Sequence, residues 1–205
     1  MDLIHVPSPS LTLESITALV PLNQGILFVG AGFDVMPKKL ASKGYRVLCN
    51  DIDEKPSYST LDWIKCDVLD LNYDLLTKKY SCLVSRCLCD NSTNNLVKKC
   101  IESGKWKNFS YLAIEFCHNP YCYSAGDVEK LGVAIESSEL LLKNGYNTML
   151  LNGGKNNLLD LMIIASKYKL MKASELFPDN VKNKDDEIIK ESMNNLIKLS
   201  NNSSN

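Results

Sequence analysis

The sequence predicts an α/β fold: a mostly parallel sheet with helices on both faces, finished by one antiparallel strand. Three observations lead there. Short apolar runs alternate with longer helical stretches along most of the chain, the pattern of buried parallel strands joined by crossover helices. The first such run, Gly25–Val29, ends in Gly30-Ala31-Gly32, a buried strand running into a tight turn. The last two runs, Asn147–Leu151 and Leu159–Ser166, are too close for a parallel crossover and suit a loose hairpin across Asn152-Gly153-Gly154-Lys155-Asn156-Asn157.

The elements follow in order. Ser10 can cap a helix over Leu11–Val20, which Pro21 stops. After the glycine turn, Pro37 lies near a helix start and Gly44 at its end. Arg46–Asn50 is the second strand and runs into Asp51-Ile52-Asp53; Trp63–Cys66 is the third and ends at Asp67. Tyr80–Ser85 is a strand, Asn91 or Ser92 caps a helix through Ile101, and Tyr111–Cys117 is the next strand. Asp127 caps a long helix to Lys143, with Gly145 just past it. After Leu170 the chain changes character. Phe177-Pro178-Asp179-Asn180 reads as a turn, and a helix from Asp185 carries Ile188, Ile189, Met193, Leu196 and Ile197 on one face. The division is therefore a domain over 1–170 and a C-terminal helical extension over 171–205. The apolar face of that last helix either packs on the domain or takes a protein partner or a second copy of the chain.

Composition narrows the function classes. At 205 residues, 45 % apolar and 23 % charged, the chain can bury a core and is not a disordered polymer. A net charge of −1 excludes a strongly basic surface that grips nucleic acid without specificity, and DNA is not expected as a partner. A local patch remains open: Lys98, Lys99, Lys105 and Lys107 cluster around the fourth helix, as an RNA-facing surface or as a solvated face. Only Arg46 and Arg86 are arginines among 23 basic residues, so either one in a site is conspicuous. No 18-residue apolar run suggests a membrane span, and no basic segment followed by an apolar one opens the chain. The expectation is a cytoplasmic protein whose eight cysteines are thiols or ligands rather than disulfides.

The glycine turn carries the sharpest chemistry. Gly30-Ala31-Gly32-Phe33-Asp34 follows a strand and opens a helix, and glycines there let the backbone turn tightly and approach a ligand. Asp51 and Asp53 end the next strand, where a carboxylate reaches the two hydroxyls of an adenosine ribose. A dinucleotide motif needs a further glycine for close helix packing, but the chain reads Val35-Met36 there. Asp67 and Val68, after the third strand, stand where adenine recognition often falls. Both features favour S-adenosylmethionine (SAM) over a nicotinamide cofactor.

Other constellations are weaker. Cys87, Cys89, Cys117, His118 and Cys122 gather at the ends of the fourth and fifth strands, as zinc ligands or as buried or pocket-lining thiols. No metal is assigned. His118 is a candidate general base or a loop polar residue. Asn119-Pro120-Tyr121-Cys122-Tyr123 offers aromatic faces on which a base can stack, or simply anchors its loop.

Val20-Pro21-Leu22-Asn23, Val29-Gly30-Ala31-Gly32-Phe33-Asp34, Asp51-Ile52-Asp53 and Asp67 together resemble the nidovirus (coronavirus-type) cap ribose 2′-O-methyltransferases. These are class I SAM-dependent methyltransferases. The resemblance spans about residues 5–170, specific in the first third and thin after it. It implies a class I methyltransferase-like (Rossmann-like) sheet of seven strands with the last antiparallel, SAM as cofactor, and the ribose of capped RNA as acceptor. It also implies a viral protein in the host cytoplasm. Gly30, Ala31, Gly32, Phe33 and Asp34 would border the methionine moiety, Asp51 or Asp53 the ribose, and Asp67 and Val68 the adenine.

The family's Lys-Asp-Lys-Glu tetrad maps onto His5, Arg86, Glu115 and Asp160. Only the last replacement keeps its chemistry. Arg86 and Glu115 reverse the family's charges on neighbouring strands, where they can pair with each other; a carboxylate cannot stabilise a developing alkoxide as an ammonium does. No lysine lies between Lys107 and Lys130, so no shift of register restores the central one. Asp90 can stand in for the missing Asp if the fourth strand ends later. Three functions stay open: a cap-type methyltransferase with altered chemistry, an inactive binding or scaffold module on the same fold, or a methyltransferase of another substrate that uses His118 or a thiol.

Overall fold

The computed structural model describes residues 3–6, 11–32, 34–57, 59–86, 93–116, 127–153 and 161–177. Its strands are β1 (Leu3–His5), β2 (Gly25–Val29), β3 (Arg46–Asp51), β4 (Asp62–Lys65), β5 (Cys82–Arg86), β6 (Tyr111–Glu115), β7 (Asn147–Asn152) and β8 (Leu161–Ser166). Its helices are α1 (Leu11–Leu19), α2 (Met36–Ser42), α3 (Tyr73–Leu76), α4 (Thr93–Glu102), α5 (Asp127–Lys143) and α6 (Ala173–Leu176).

All the strands form one sheet in the order β1-β7-β8-β6-β5-β2-β3-β4. Every pairing is parallel except those of β8, which runs antiparallel to both β6 and β7. The α/β class and the antiparallel last strand are as expected from the sequence. The strand count is a correction: among the described residues the sheet has eight strands, not seven. The added one is β1, whose three residues pair with β7 from Leu3↔Leu150 to His5↔Asn152. Three residues carry no readable period; β1 exists because β7 would otherwise be a bare edge.

Strand period sets the two cores. Along β2 all five residues are buried, with Ile26 and Phe28 facing one layer and Leu27 and Val29 the other. The first layer holds α1, α2 and α6 through Ile16, Leu40 and Leu176; the second holds α3, α4 and α5 through Tyr73, Ile101 and Leu141. Trp106, fully buried, donates its indole N–H to the Tyr73 hydroxyl at 3.2 Å, and the Tyr146 hydroxyl donates to the Trp106 carbonyl at 2.8 Å. The four-residue helices α3 and α6 are too short for a hydrophobic period to reveal. Asn72 starts α3 by accepting from the Leu75 amide at 3.2 Å, and Ala173 and Leu176 of α6 pack with the adjoining Phe177 into the core around α1. The helix expected from Asp185 lies outside the described residues.

Two features position the site. β2 has β3 on one side and β5 on the other, so the strand order reverses there, and the crevice beyond the carboxyl ends of such strands is where α/β sheets bind ligands. Among the described residues the connection from β3 to β4 contains no helix.

Candidate functional site

The glycine turn sits on the switch point, immediately after β2. Gly30 and Gly32 adopt φ of 68° and 40°, left-handed values that favour glycine. β3 holds this turn from one side. The Ala31 amide donates to the Asn50 carbonyl at 3.0 Å, and the Gly32 amide donates to Asp51 Oδ2 at 2.8 Å. A Cβ on Gly32 would come within 3.8 Å of that same oxygen. The other Asp51 oxygen accepts from the Asp53 amide at 3.1 Å, so this carboxylate shapes both the turn and the strand end. Asp53 is exposed. Ile52, between the two acids, is 65 % exposed, an apolar face presented at the rim of the crevice.

Asn50, beside the glycine turn, is a residue that the sequence reading missed. Buried at 1 % exposure, it donates its side-chain amide to the carbonyls of Ile64 at 3.1 Å and Cys66 at 2.8 Å. It therefore ties the ends of β3 and β4 together while its own carbonyl holds the glycine turn. The available signal was a polar amide directly after the apolar run Val47-Leu48-Cys49. Asp67 is exposed just past β4, and its Oδ1 accepts from the Leu69 amide at 2.8 Å. The Val68 side chain belongs to the core, and its carbonyl accepts from the Tyr73 hydroxyl at 2.8 Å.

On the opposite flank, Arg86 ends β5 and Glu115 ends β6, directly paired in register. The ion pair expected from the sequence is present: Arg86 Nε donates to Glu115 Oε2 at 2.8 Å. Arg86 also reaches into the glycine turn, which the sequence did not reveal. Its Nη1 donates to Asp34 Oδ1 at 2.9 Å and Oδ2 at 2.8 Å. Asp34 Oδ1 in turn accepts from the Met36 amide at 2.8 Å, at the first residue of α2. The Thr12 hydroxyl of α1 donates to Glu115 Oε2. Glu115 is only 6 % exposed, so its charge is tolerable there because it is paired. Burial alone would lower the Arg86 pKa, but Glu115 and Asp34 outweigh it and hold the guanidinium above its ordinary range. Removing one member of such a buried pair costs about 3–5 kcal/mol, since a charge is left uncompensated.

A cavity of about 110 Å³ flanks the turn between α2, β3 and β4, lined in part by Asp34, Pro37, Cys49, Leu61 and Trp63. Burial pushes the Cys49 thiol up to about 12, partly countered by Lys55, so it is a neutral wall rather than a nucleophile.

Other expected residues are placed as follows. The His5 backbone pairs with Asn152 at the same carboxyl edge as Glu115, Arg86 and Asp51; its side chain is outside the described residues. So are Phe33, Asp90, Asp160 and the whole Cys87, Cys89, Cys117, His118 and Cys122 cluster. Among the described residues no group of His, Cys, Asp and Glu is arranged to hold a metal. Lys98 pairs with Glu136 of α5 at 3.0 Å, so one of the four clustered lysines braces two helices. No helix among the described residues is long and apolar enough to cross a membrane.

No protein-family model matches the chain. No curated protein matches it in sequence either. Solved structures do. The magnesium protoporphyrin IX methyltransferase of Synechocystis PCC 6803, crystallised with S-adenosylhomocysteine (SAH), superposes with a TM-score of 0.52 at 14 % identity, over 77 % of this chain and 80 % of that one. The METTL16 methyltransferase domain gives a TM-score of 0.54 at 14 % identity, over 80 % and 70 % of the two chains. A methyltransferase from Pyrococcus furiosus gives 0.54 at 14 % identity, over 78 % and 83 %. Sheet order, antiparallel last strand and these superpositions agree: the chain has the Rossmann-like fold of the class I SAM-dependent methyltransferases.

Proposed function

We propose that this chain binds SAM at the glycine turn and acts as a methyltransferase on RNA, with the ribose of capped RNA as acceptor. The observation that carries the reading is the Asp51 carboxylate bonded to the Gly32 amide at the switch point. The residues fit the cofactor. Two left-handed glycines leave room for its backbone-level approach, and each Asp51 oxygen has a second lone pair for a ribose hydroxyl. Ile52 supplies an apolar face and Asp67 an acceptor for the adenine. Bound SAM supplies a methyl group on a sulfonium, ready for transfer. Relatives of this fold bearing SAM or SAH support that ligand, and the sequence resemblance supports capped RNA.

One observation favours a second reading. Arg86 and Glu115, at the positions where the resembling family keeps Asp and Lys, are engaged with each other and with Asp34. Arg86 keeps its proton and so takes none from an acceptor hydroxyl. A module that retains the SAM pocket without the standard 2′-hydroxyl chemistry meets that constraint. Calorimetry with SAM comes first, and absence of binding with and without RNA defeats the methyltransferase reading. Transfer of labelled methyl groups from SAM to capped RNA then separates enzyme from binding module.

A further inference from the structure

We infer that Arg86 is a positioning residue of the SAM site: it clamps Asp34, and through it holds the glycine turn in its binding shape. The inference rests on the SAM reading above. Val29 pairs with Ser85, so Arg86 stands one residue further along, level with Gly30. From there its Nη1 bridges both oxygens of Asp34 at 2.9 and 2.8 Å, while Nε remains on Glu115 at 2.8 Å. Asp34 Oδ1 accepts from Met36 as well, so a single oxygen joins the end of β5, the turn and the start of α2.

The turn needs such a tie. It contains two left-handed glycines, whose backbone freedom is large. β3 restrains it through Asn50 and Asp51; Arg86 restrains it from the β5 side. Without the second restraint a ligand would have to order the turn itself, at a cost in affinity. The planar guanidinium suits the task, because one group addresses carboxylates in two directions, which an ammonium does less well. Glu115, itself held by Thr12, fixes the direction in which Arg86 points.

The test uses the full chain and the variants Arg86→Met, Arg86→Lys, Asp34→Asn and Arg86→Met with Asp34→Asn. SAM affinity is measured by calorimetry, and exchange of the Met36 amide by NMR. Arg86→Met should weaken SAM binding about tenfold or more in the folded protein and speed Met36 exchange. Arg86→Lys should recover only part of the affinity. Adding Asp34→Asn to Arg86→Met should also recover part, because it removes an uncompensated carboxylate from the turn. A merely structural Arg86 would lower the melting temperature and leave the affinity of folded protein unchanged; that result overturns the inference. If Arg86→Met does not fold, a further variant, Asp34→Ala, which removes the oxygen shared by Arg86 and Met36, decides, and unchanged SAM affinity in it is equally fatal. Failure of the wild-type chain to bind SAM defeats the SAM reading and the inference together. Wild-type binding with indifferent variants defeats the inference alone.

Discussion

Asp51→Asn probes the site where it is most constrained. The carboxylate serves two backbone amides, Gly32 at 2.8 Å through Oδ2 and Asp53 at 3.1 Å through Oδ1. Asparagine keeps the shape but has one acceptor oxygen. With that oxygen on Gly32, its NH₂ group meets the Asp53 N–H, donor against donor. Hydrogen bonds to a charged group contribute about 1.5–3 kcal/mol each. Asp51 is half-buried, so water recovers part of the loss, but a ribose would also lose its charged acceptor. The mismatch at Asp53 costs stability, whereas the lost charged acceptor for the ribose costs about 1.5–3 kcal/mol in SAM binding, roughly 10- to 100-fold in Kd. Calorimetric titration of the variant measures it, with a melting curve as control for folding. Asp53→Asn should do less, because Asp53 is exposed and bonds to Asp51 and Trp63 through its backbone. Wild-type affinity in Asp51→Asn, or a larger loss in Asp53→Asn, would refute the assignment of the ribose acid.

Further outcomes follow from the same geometry. Gly25→Ala puts a Cβ 2.5 Å from the Lys79 carbonyl oxygen and 2.8 Å from the Tyr80 ring, and should cost about 1–3 kcal/mol of stability in urea unfolding. Cys49 and Cys100 are pushed by burial from an ordinary value of about 9 up to about 12. Native protein therefore keeps both protons while the unfolded chain ionises; the stability they contribute is whole below pH 9 and is lost as pH rises towards 12. The melting temperature should fall across that window, less steeply in Cys49→Ala and Cys100→Ala. The Trp63 indole donates to the Asp53 carbonyl at 3.3 Å, whereas Trp106 is fully buried in the other layer and meets the expected adenine side only through the Tyr73 hydroxyl, which donates to the Val68 carbonyl at 2.8 Å. SAM should change the fluorescence of Trp106→Phe more than that of Trp63→Phe.

Much of this architecture was legible because burial and period coincide. Gly25–Val29 and Leu161–Ala165 are runs without a polar side chain, and every residue in both is buried. Asp127–Lys143 begins and ends where its caps indicated. The Arg86–Glu115 pair was legible because both residues end neighbouring strands. The bond from Arg86 to Asp34 was not, since it crosses from a strand end to a turn, and no local pattern records how a side chain bends across an edge. Thr12 and Asn50 were hidden for a related reason. A polar residue in an apolar stretch announces a need for a partner, not which partner it finds. The three residues of β1 and the short α3 and α6 fall below the length at which a period can be read.

The place of β8 has a consequence for how the protein is made. It is inserted between β6 and β7, with Ile114↔Ile163 on one side and Leu150↔Ile163 on the other. A chain emerging in order has completed α5 before either β7 or β8 exists. Until Ser166 has left the ribosome, β6 offers an unpaired edge carrying the apolar Leu112 and Ile114, and β1 with its partner β7 has no strand through which to join the rest of the sheet. Cleavage or early termination between α5 and β8 would therefore yield an adhesive fragment rather than a smaller working protein.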